Sequence, residues 1–446
     1  MAKHTLSAIR LGCSVIALTA ATLAVPAFAQ AAPQAAAEAP AAEENAIVVT
    51  GIRASLDASA AIKRRTSSIV EAVSAEDIGK LPDVSIADSL ARLPGVTAQR
   101  LEGRDQRLSI RGLGPDFGTT LLNGREQVTV GDNRGVEYDQ YPSEFFKNVV
   151  VHKAADASLI AAGVSGTVDL RMLRPLAQKD RIIAVQLRGE MNGLKKLNPD
   201  GSRYGYRASA AYVDKFANDT FGIALGLSAT DAPSQDERYN AWGFPNGAST
   251  GGALLLGGAK PYVQSNVLRR YGAVATLEWQ PSDNFHSTLD VLYSKFKETQ
   301  HLRGIEFPLA PDWGSGAAVQ PGYKVSNGLV TDVTFTGVHG VQRNDLNKRE
   351  ADNFSVGWNN VIGIGEKTHL TLDASYSHAK RTDFLLETYT GSGYQTGGPS
   401  DTVHAVANPN GTFDLNTTID YTDRGIFGIT DPRGWGFPLN RSPSAT

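Results

Sequence analysis

Eight histidines are scattered along the 446 residues, without an H-E-x-x-H, a G-x-S-x-G or any metal-ligand spacing, so no hydrolase constellation and no metal or cofactor is indicated. His286 and His378 fall inside strand-like patterns, where they read as lumen-facing or interfacial. The stretch Gly112-Leu-Gly-Pro-Asp-Phe-Gly118 superficially suggests a nucleotide loop. Its spacing misses G-x-G-x-x-G, and Pro115 blocks a helix start. What chemistry remains is of the binding kind. Ser234-Gln-Asp-Glu-Arg-Tyr-Asn-Ala-Trp-Gly-Phe-Pro245 brings Asp236, Arg238, Tyr239 and Trp242 into one segment. Carboxylates, a guanidinium and amides suit hydroxyl-rich ligands, and aromatic rings pack on sugar faces. The alternative is that Tyr239 and Trp242 belong to an aromatic girdle at a membrane surface.

The elements that must hold these residues begin with an export signal. Lys3 and Arg10 precede an apolar run from Leu11 to Val25, and Ala27-Phe28-Ala29 is an A-x-A cleavage site. The run is about 15 residues, short of the roughly 20 a helical span needs. Cleavage after Ala29 removes Cys13, the only cysteine, and takes the net charge from −3 to −5. The mature chain therefore has no disulfide, no thiol nucleophile and no basic footprint for nucleic acid. Residues 30–45 are low-complexity Ala, Pro and Glu, read as a flexible periplasmic spacer. It ends abruptly at Ala46-Ile-Val-Val-Thr-Gly51, a β-prone segment suited to adding to a partner's sheet edge.

From there to about residue 178 the pattern is α/β. Ser74-Ala-Glu-Asp77 resembles a helix start, and Ser85–Leu93 reads as a short amphipathic helix stopped by Pro94-Gly95. Strand-like runs occupy 109–112, 120–125, 148–152 and 166–172. Beyond residue 179 the period becomes two. Phe221, Ile223, Leu225 and Leu227 alternate with Gly222, Ala224, Gly226 and Ser228, and Tyr204–Tyr212, Arg270–Trp279, Phe285–Lys295 and His369–His378 behave alike. One apolar face with aromatic ends and one small or polar face is the pattern of a transmembrane strand. A soluble sandwich also alternates. Short connections at 214–219, 281–284 and 363–367, separated by long stretches at 231–268 and 298–352, favour the membrane barrel.

Several motifs resemble the plug domain of TonB-dependent outer-membrane receptors. They are Asp88-Ser-Leu90 with Leu93-Pro-Gly-Val96, Leu108-Ser-Ile-Arg-Gly112, Leu121-Leu-Asn-Gly-Arg125 and Ala162-Gly-Val-Ser-Gly-Thr-Val-Asp-Leu170. Their order and spacing carry the likeness, and no single one would. Val49–Leu56, Val-Thr-Gly-Ile-Arg-Ala-Ser-Leu, resembles the opening of a subgroup common in Gram-negative carbohydrate scavengers. The resemblance implies an α/β plug followed by an antiparallel transmembrane β-barrel of about 22 strands. It implies a monomer in the outer membrane, in contact with its lipid, that imports a large nutrient. The force comes from a TonB complex gripping a TonB box, here Ile47, Val48, Val49, Thr50 and Gly51. By the same resemblance, Arg111, Gly112, Asn123, Gly124 and Arg125 are structural, with the two arginines facing barrel-wall carboxylates. Arg104, Asp116, Phe117 and Asp132 fall on upper plug loops near 100–105, 115–119 and 128–137 and are substrate candidates. An oligosaccharide is the expected cargo, with a ferric siderophore as the alternative. A passive porin or an adhesin would need neither box nor plug.

The expected organisation is a signal peptide at 1–29, spacer at 30–45, TonB box at 46–51, plug at 52–178 and the first part of the barrel at 179–446. About seven strands are legible, followed by loop-like sequence. Seven cannot close around a plug, and an open sheet edge cannot face lipid. The chain is therefore expected to be a fragment of a longer receptor, not competent alone, the alternative being a truncated gene whose product does not insert.

Overall fold

The structure, a computed structural model, describes residues 50–74, 85–101, 104–154, 156–160, 163–393 and 397–427. The signal peptide, the spacer and positions 46–49 of the expected TonB box lie outside these residues. So does most of the helix start expected at Ser74–Asp77, whose first residue instead ends a strand.

Thr50 and Gly51 open helix α1, Thr50–Arg65, instead of completing an extended segment. Alanines at 54, 58, 60 and 61 favour the helix, and Lys63, Arg64 and Arg65 in its last turn complement the dipole. Ile62 packs on Val70, Ala72 and Val150. Strand β1, Val70–Ser74, follows, and its Glu71 accepts from Lys63 Nζ at 2.7 Å and Lys153 Nζ at 3.3 Å. Burial opposes ionisation of Glu71, but the two ammonium groups prevail and hold its carboxyl below the usual range.

Helix α2, Ile86–Leu90, starts on a capping box between Ser85 and Asp88. Strands β2, Val96–Leu101, and β3, Arg104–Ile110, form a hairpin. Arg100–Asp105 is thus mostly paired backbone and not the expected open plug loop. Strands β4 (Gly118–Leu122), β5 (Arg125–Glu126), β6 (Phe146–His152) and β7 (Gly166–Met172) join β1 in a sheet ordered β1-β6-β7-β4-β5. Only β4 and β7 run parallel in it. Ile86, Leu90, Leu108, Ile110, Tyr141, Phe146, Val149 and Leu170 are among the buried core residues, and Leu292 of the barrel wall joins them.

The wall is an antiparallel meander of seven long strands. They are β8 (Ile182–Met191), β9 (Tyr204–Phe216), β10 (Phe221–Ala241), β11 (Gly258–Ser282), β12 (Phe285–Pro308), β16 (Val341–Ile364) and β17 (Thr368–Leu386), neighbours in that order. The α/β plug followed by antiparallel barrel strands is the fold class that the motifs implied. Turns at one end are short. One of them places Ala217, Asn218 and Asp219 at φ between 54° and 65°.

The stretches expected as long loops are mostly strand. The 25 residues of β11 reach about 80 Å end to end, whereas a membrane crossing takes about 10 residues. Past the alternating stretch the two faces of the strands no longer differ in character, so the alternation fades while the backbone ladder continues. The segment Ser234–Pro245 is accordingly strand as far as Ala241.

Nor is the region after Lys380 only loop. Between β12 and β16 lie β13 (Ala318–Val319), β14 (Lys324–Ser326) and β15 (Leu329–Val338). After β17 come β18 (Tyr389–Thr390), paired to β16, and β19 (Asp401–Ala407) and β20 (Phe413–Thr417). β13, β14, β15, β19 and β20 form a separate sheet. Its core includes Leu255, Phe307, Val330, Phe335, Val403 and Phe413, which makes a packed cap of these outer connections. The alternation Thr402-Val-His-Ala-Val406 was its sequence signal.

Candidate functional site

The seam between plug and wall carries the densest chemistry. The β4–β5 turn places Asn123 at φ 50° and Gly124 at φ 82°, the pair of left-handed residues a two-residue hairpin requires. Asn123 Oδ1 accepts from the Met172 N–H, and the Gly124 N–H donates to Asp169 Oδ1, both at 2.9 Å. The turn is therefore fixed to β7, and it drives Arg125 into the wall. Arg125 Nε and Nη2 donate to the two carboxylate oxygens of Asp373 at 2.9 and 2.8 Å, while Nη1 donates to Asp290 at 2.9 Å. Arg174 at 2.6 Å and the Thr276 hydroxyl at 3.1 Å both donate to the same Asp290. A Cβ on Gly357 would stand 2.4 Å from the guanidinium, so that glycine makes room for it.

A second cluster sits where β3 meets β12. Arg104, expected as a substrate contact, is buried at 6 % exposure between Asp139 of the plug and Glu298 of the wall. Its Nη2 donates to Glu298 at 2.5 Å, and Asn266 donates to the same carboxylate at 2.5 Å. Arg270 donates to the Asp139 and Tyr141 carbonyls at 2.5 and 3.1 Å, and Ser294 to the Gln140 carbonyl at 2.6 Å. Arg107 and, at 3.7 Å, Arg349 flank Glu137. Full burial pushes the Asp139 carboxyl up to about 6, against the opposing pull of Arg104.

Between the clusters the seam is steric. A Cβ on Gly226 would fall 2.4 Å from the Phe145 ring, and one on Gly272 2.4 Å from Pro142. Gly226→Val is expected to lower stability by about 1–3 kcal/mol through overpacking. A thermal midpoint equal to wild type would show instead that Phe145 swings away freely.

Arg111 does not join Arg125. It sits exposed at φ 55° on the turn after β3, its N–H donating to the Gly95 carbonyl at 2.8 Å, and no ion pair to a wall carboxylate is found for it among the described residues. Arg111 shares its left-handed turn with Gly112, φ 75°.

Three candidates lie on upper plug loops. Asp116 accepts from the Gly135 N–H at 2.9 Å and from Asn133 at 3.1 Å, stapling two loops together. Phe117 is 54 % exposed. Asp132 accepts from Arg381 of β17 at 2.7 Å, and Arg381 also donates to the Val130 carbonyl.

The candidates of β10 do not form one constellation. Asp236 and Arg238 share a strand face, with Arg238 donating to Gln264 at 2.5 Å. Tyr239 packs against the cap core. Trp242 lies over Gly258, with Lys260 Nζ 5.3 Å from its ring centroid.

The partners Asp290, Asp373, Asp139 and Glu298 were not named from sequence. A usable signal existed for the wall residues. Asp290 and Asp373 occupy the small-residue face of alternating strands, where a carboxylate needs a cation opposite.

Residues 62–168 match the family model described as TonB-dependent Receptor Plug Domain. No curated protein sequence matches the chain. Among solved structures, the chain is similar to the outer membrane transporter YddB from Escherichia coli, at 13% identity, 78% of this chain, 57% of that one and a TM-score of 0.37. It is also similar to the siderophore receptor PirA from Pseudomonas aeruginosa, at 14% identity, 79% and 58% coverage and a TM-score of 0.37. The chain thus spans less than two thirds of the length of either. Residues 62–168 are thus a TonB-dependent receptor plug domain.

Proposed function

We propose that the protein acts in an energy-coupled importer that carries an oligosaccharide across the outer membrane. The observation that supports this best is the latched plug. Arg125 and Arg104 tie it to the wall through ion pairs that can break and re-form, not through a continuous sheet. In this reading the signal peptide exports the chain and the TonB complex grips 46–51 at the end of the spacer. Tension then passes through α1 and β1 into the plug. Strand addition by a short extended segment resists pulling because several main-chain hydrogen bonds load in parallel. Asp116, Phe117, Asp132, Asp236 and Arg238 are the proposed ligand contacts, offering carboxylates, a guanidinium and one open aromatic ring to a hydroxyl-rich solute.

Deleting Ile47–Thr50 in the intact receptor is expected to abolish uptake while surface binding persists. Uptake at wild-type rate in that mutant, or uptake that survives a protonophore, would sink energy coupling. A deletion strain that loses growth on oligosaccharides but grows normally under iron starvation supports the sugar cargo. The opposite pattern replaces it with a ferric siderophore.

A further inference from the structure

The outward face of the wall changes character with height. Trp279 and Phe285, with ring centroids 5.4 Å apart, mark its lower edge. Tyr271, Tyr293, Phe354 and Tyr376 mark an upper row, with Tyr293 directly opposite both Ala273 and Phe354 in the register. About eight residues of tilted strand separate the rows, a height of about 20 Å, close to the apolar band of roughly 25 Å that flanking aromatics bound in such barrels. Immediately above the upper row the outward side chains become charged. Arg269 donates to Asp231 at 2.9 Å and Lys297 to Glu350 at 2.8 Å.

At this height the connection between β8 and β9 folds back over the outer wall. Asn198 Nδ2 donates to the main-chain carbonyls of His301 at 3.1 Å and Val263 at 3.4 Å. Gly201 lies so close that a Cβ there would fall 2.7 Å from Ser265 Oγ. Strap and wall enclose a cavity of about 200 Å³ whose lining includes Asp200, Arg269, Lys297, His301, Lys348 and Glu350.

We propose that this cavity seats the phosphate headgroup of a lipid in the outer leaflet. Its depth fits, because it opens about 5 Å above the aromatic row, within the interfacial layer that flanks the hydrocarbon. Its charge fits as well. Lys348 makes no ion pair among the described residues, and the pairs of Arg269 and Lys297 are exposed, so a phosphate can replace their carboxylates at little cost. Three acidic residues line the cavity: the Glu298 carboxylate is held by Arg104, Asp200 pairs with Arg303, and Glu350, 56 % exposed, returns to water when a phosphate takes Lys297. The proposal rests on the sheet's crossing a membrane, which recovery of the receptor in the outer-membrane fraction tests separately.

The test is native mass spectrometry of the intact receptor, extracted from outer membranes and exposed to phosphatidic acid or to phosphatidylcholine with the same acyl chains. Wild type is expected to retain one phosphatidic acid at least tenfold more than phosphatidylcholine. Lys297→Ser with Lys348→Ser is expected to lose that preference, and Lys215→Ser near a short turn to keep it. Should the double variant fail to fold, Lys348→Ser alone is read, with about threefold loss expected. Equal retention of the two lipids overturns the proposal, as does undiminished retention in the lysine variants. Displacement by equimolar inorganic phosphate would make the cavity a free-anion site and overturn the lipid assignment.

Discussion

Arg125→Ala is expected to lower the stability of the docked plug by about 1–3 kcal/mol, the cost of removing charge-assisted hydrogen bonds from one buried carboxylate that keeps other partners and one that solvent reaches. Asp290 keeps Arg174 and Thr276 after the change, so the loss concentrates on Asp373, whose remaining partner is Asn359 at 2.9 Å. Arg125→Lys should fall between, since an ammonium keeps the charge but cannot fork onto both oxygens of Asp373. Calorimetry of the intact receptor in detergent reads the effect as a downward shift of the plug transition. A transition unmoved in both variants would mean that the pairs form without contributing.

Arg104→Met is expected to cost a similar amount near neutral pH but to be repaired by acid. Burial raises the Asp139 carboxyl to about 6 in the folded state, and Arg104 opposes that rise. A raised carboxyl binds its proton more tightly when folded. Its contribution is therefore fully present below the unfolded value near 3.9 and is lost as pH rises through about 6. Without Arg104 the folded-state value climbs further, so the variant should lose more between pH 5 and 8 than wild type does. Thermal midpoints across that range decide the matter. A difference between variant and wild type that stays constant with pH would show that Asp139 is not the group left stranded.

Much of this architecture could be read in residue order, and the failures have physical causes. Period-two alternation located the wall strands because one of their faces packs on the plug and the other turns away from it, so the two carry different side chains. The same criterion missed their upper halves, from Asp231 to Ala241 and from Gly258 to Leu268, where protein or water covers both faces. Helix α1 was hidden because its first residues overlap a β-prone run and its stability comes from packing on β1. For the seam, the turn residues Asn123 and Gly124 revealed where the backbone must be left-handed and hence where Arg125 must emerge. They could not reveal Asp373, which lies 248 residues along the chain. Arg104 was misread because a charged residue near a hairpin tip looks solvent-facing, and only the fold brings Glu298 to it. Arg111 erred the other way, through a motif that fixes its backbone but not its partner.

The height of the wall has a consequence of its own. From Tyr271, β11 continues for thirteen further residues to Gly258, lifting its rim about 30 Å beyond the aromatic row once tilt is allowed for. In the proposed outer-membrane setting, whatever reaches the cell from outside meets this rim first, whether a nutrient, a protease or an antibody. Connections this far from the bilayer would be cleavable if they hung free. Packed on Leu255, Phe307, Phe335 and Phe413, they present a proteolysis-resistant crown with few frayed ends to cut.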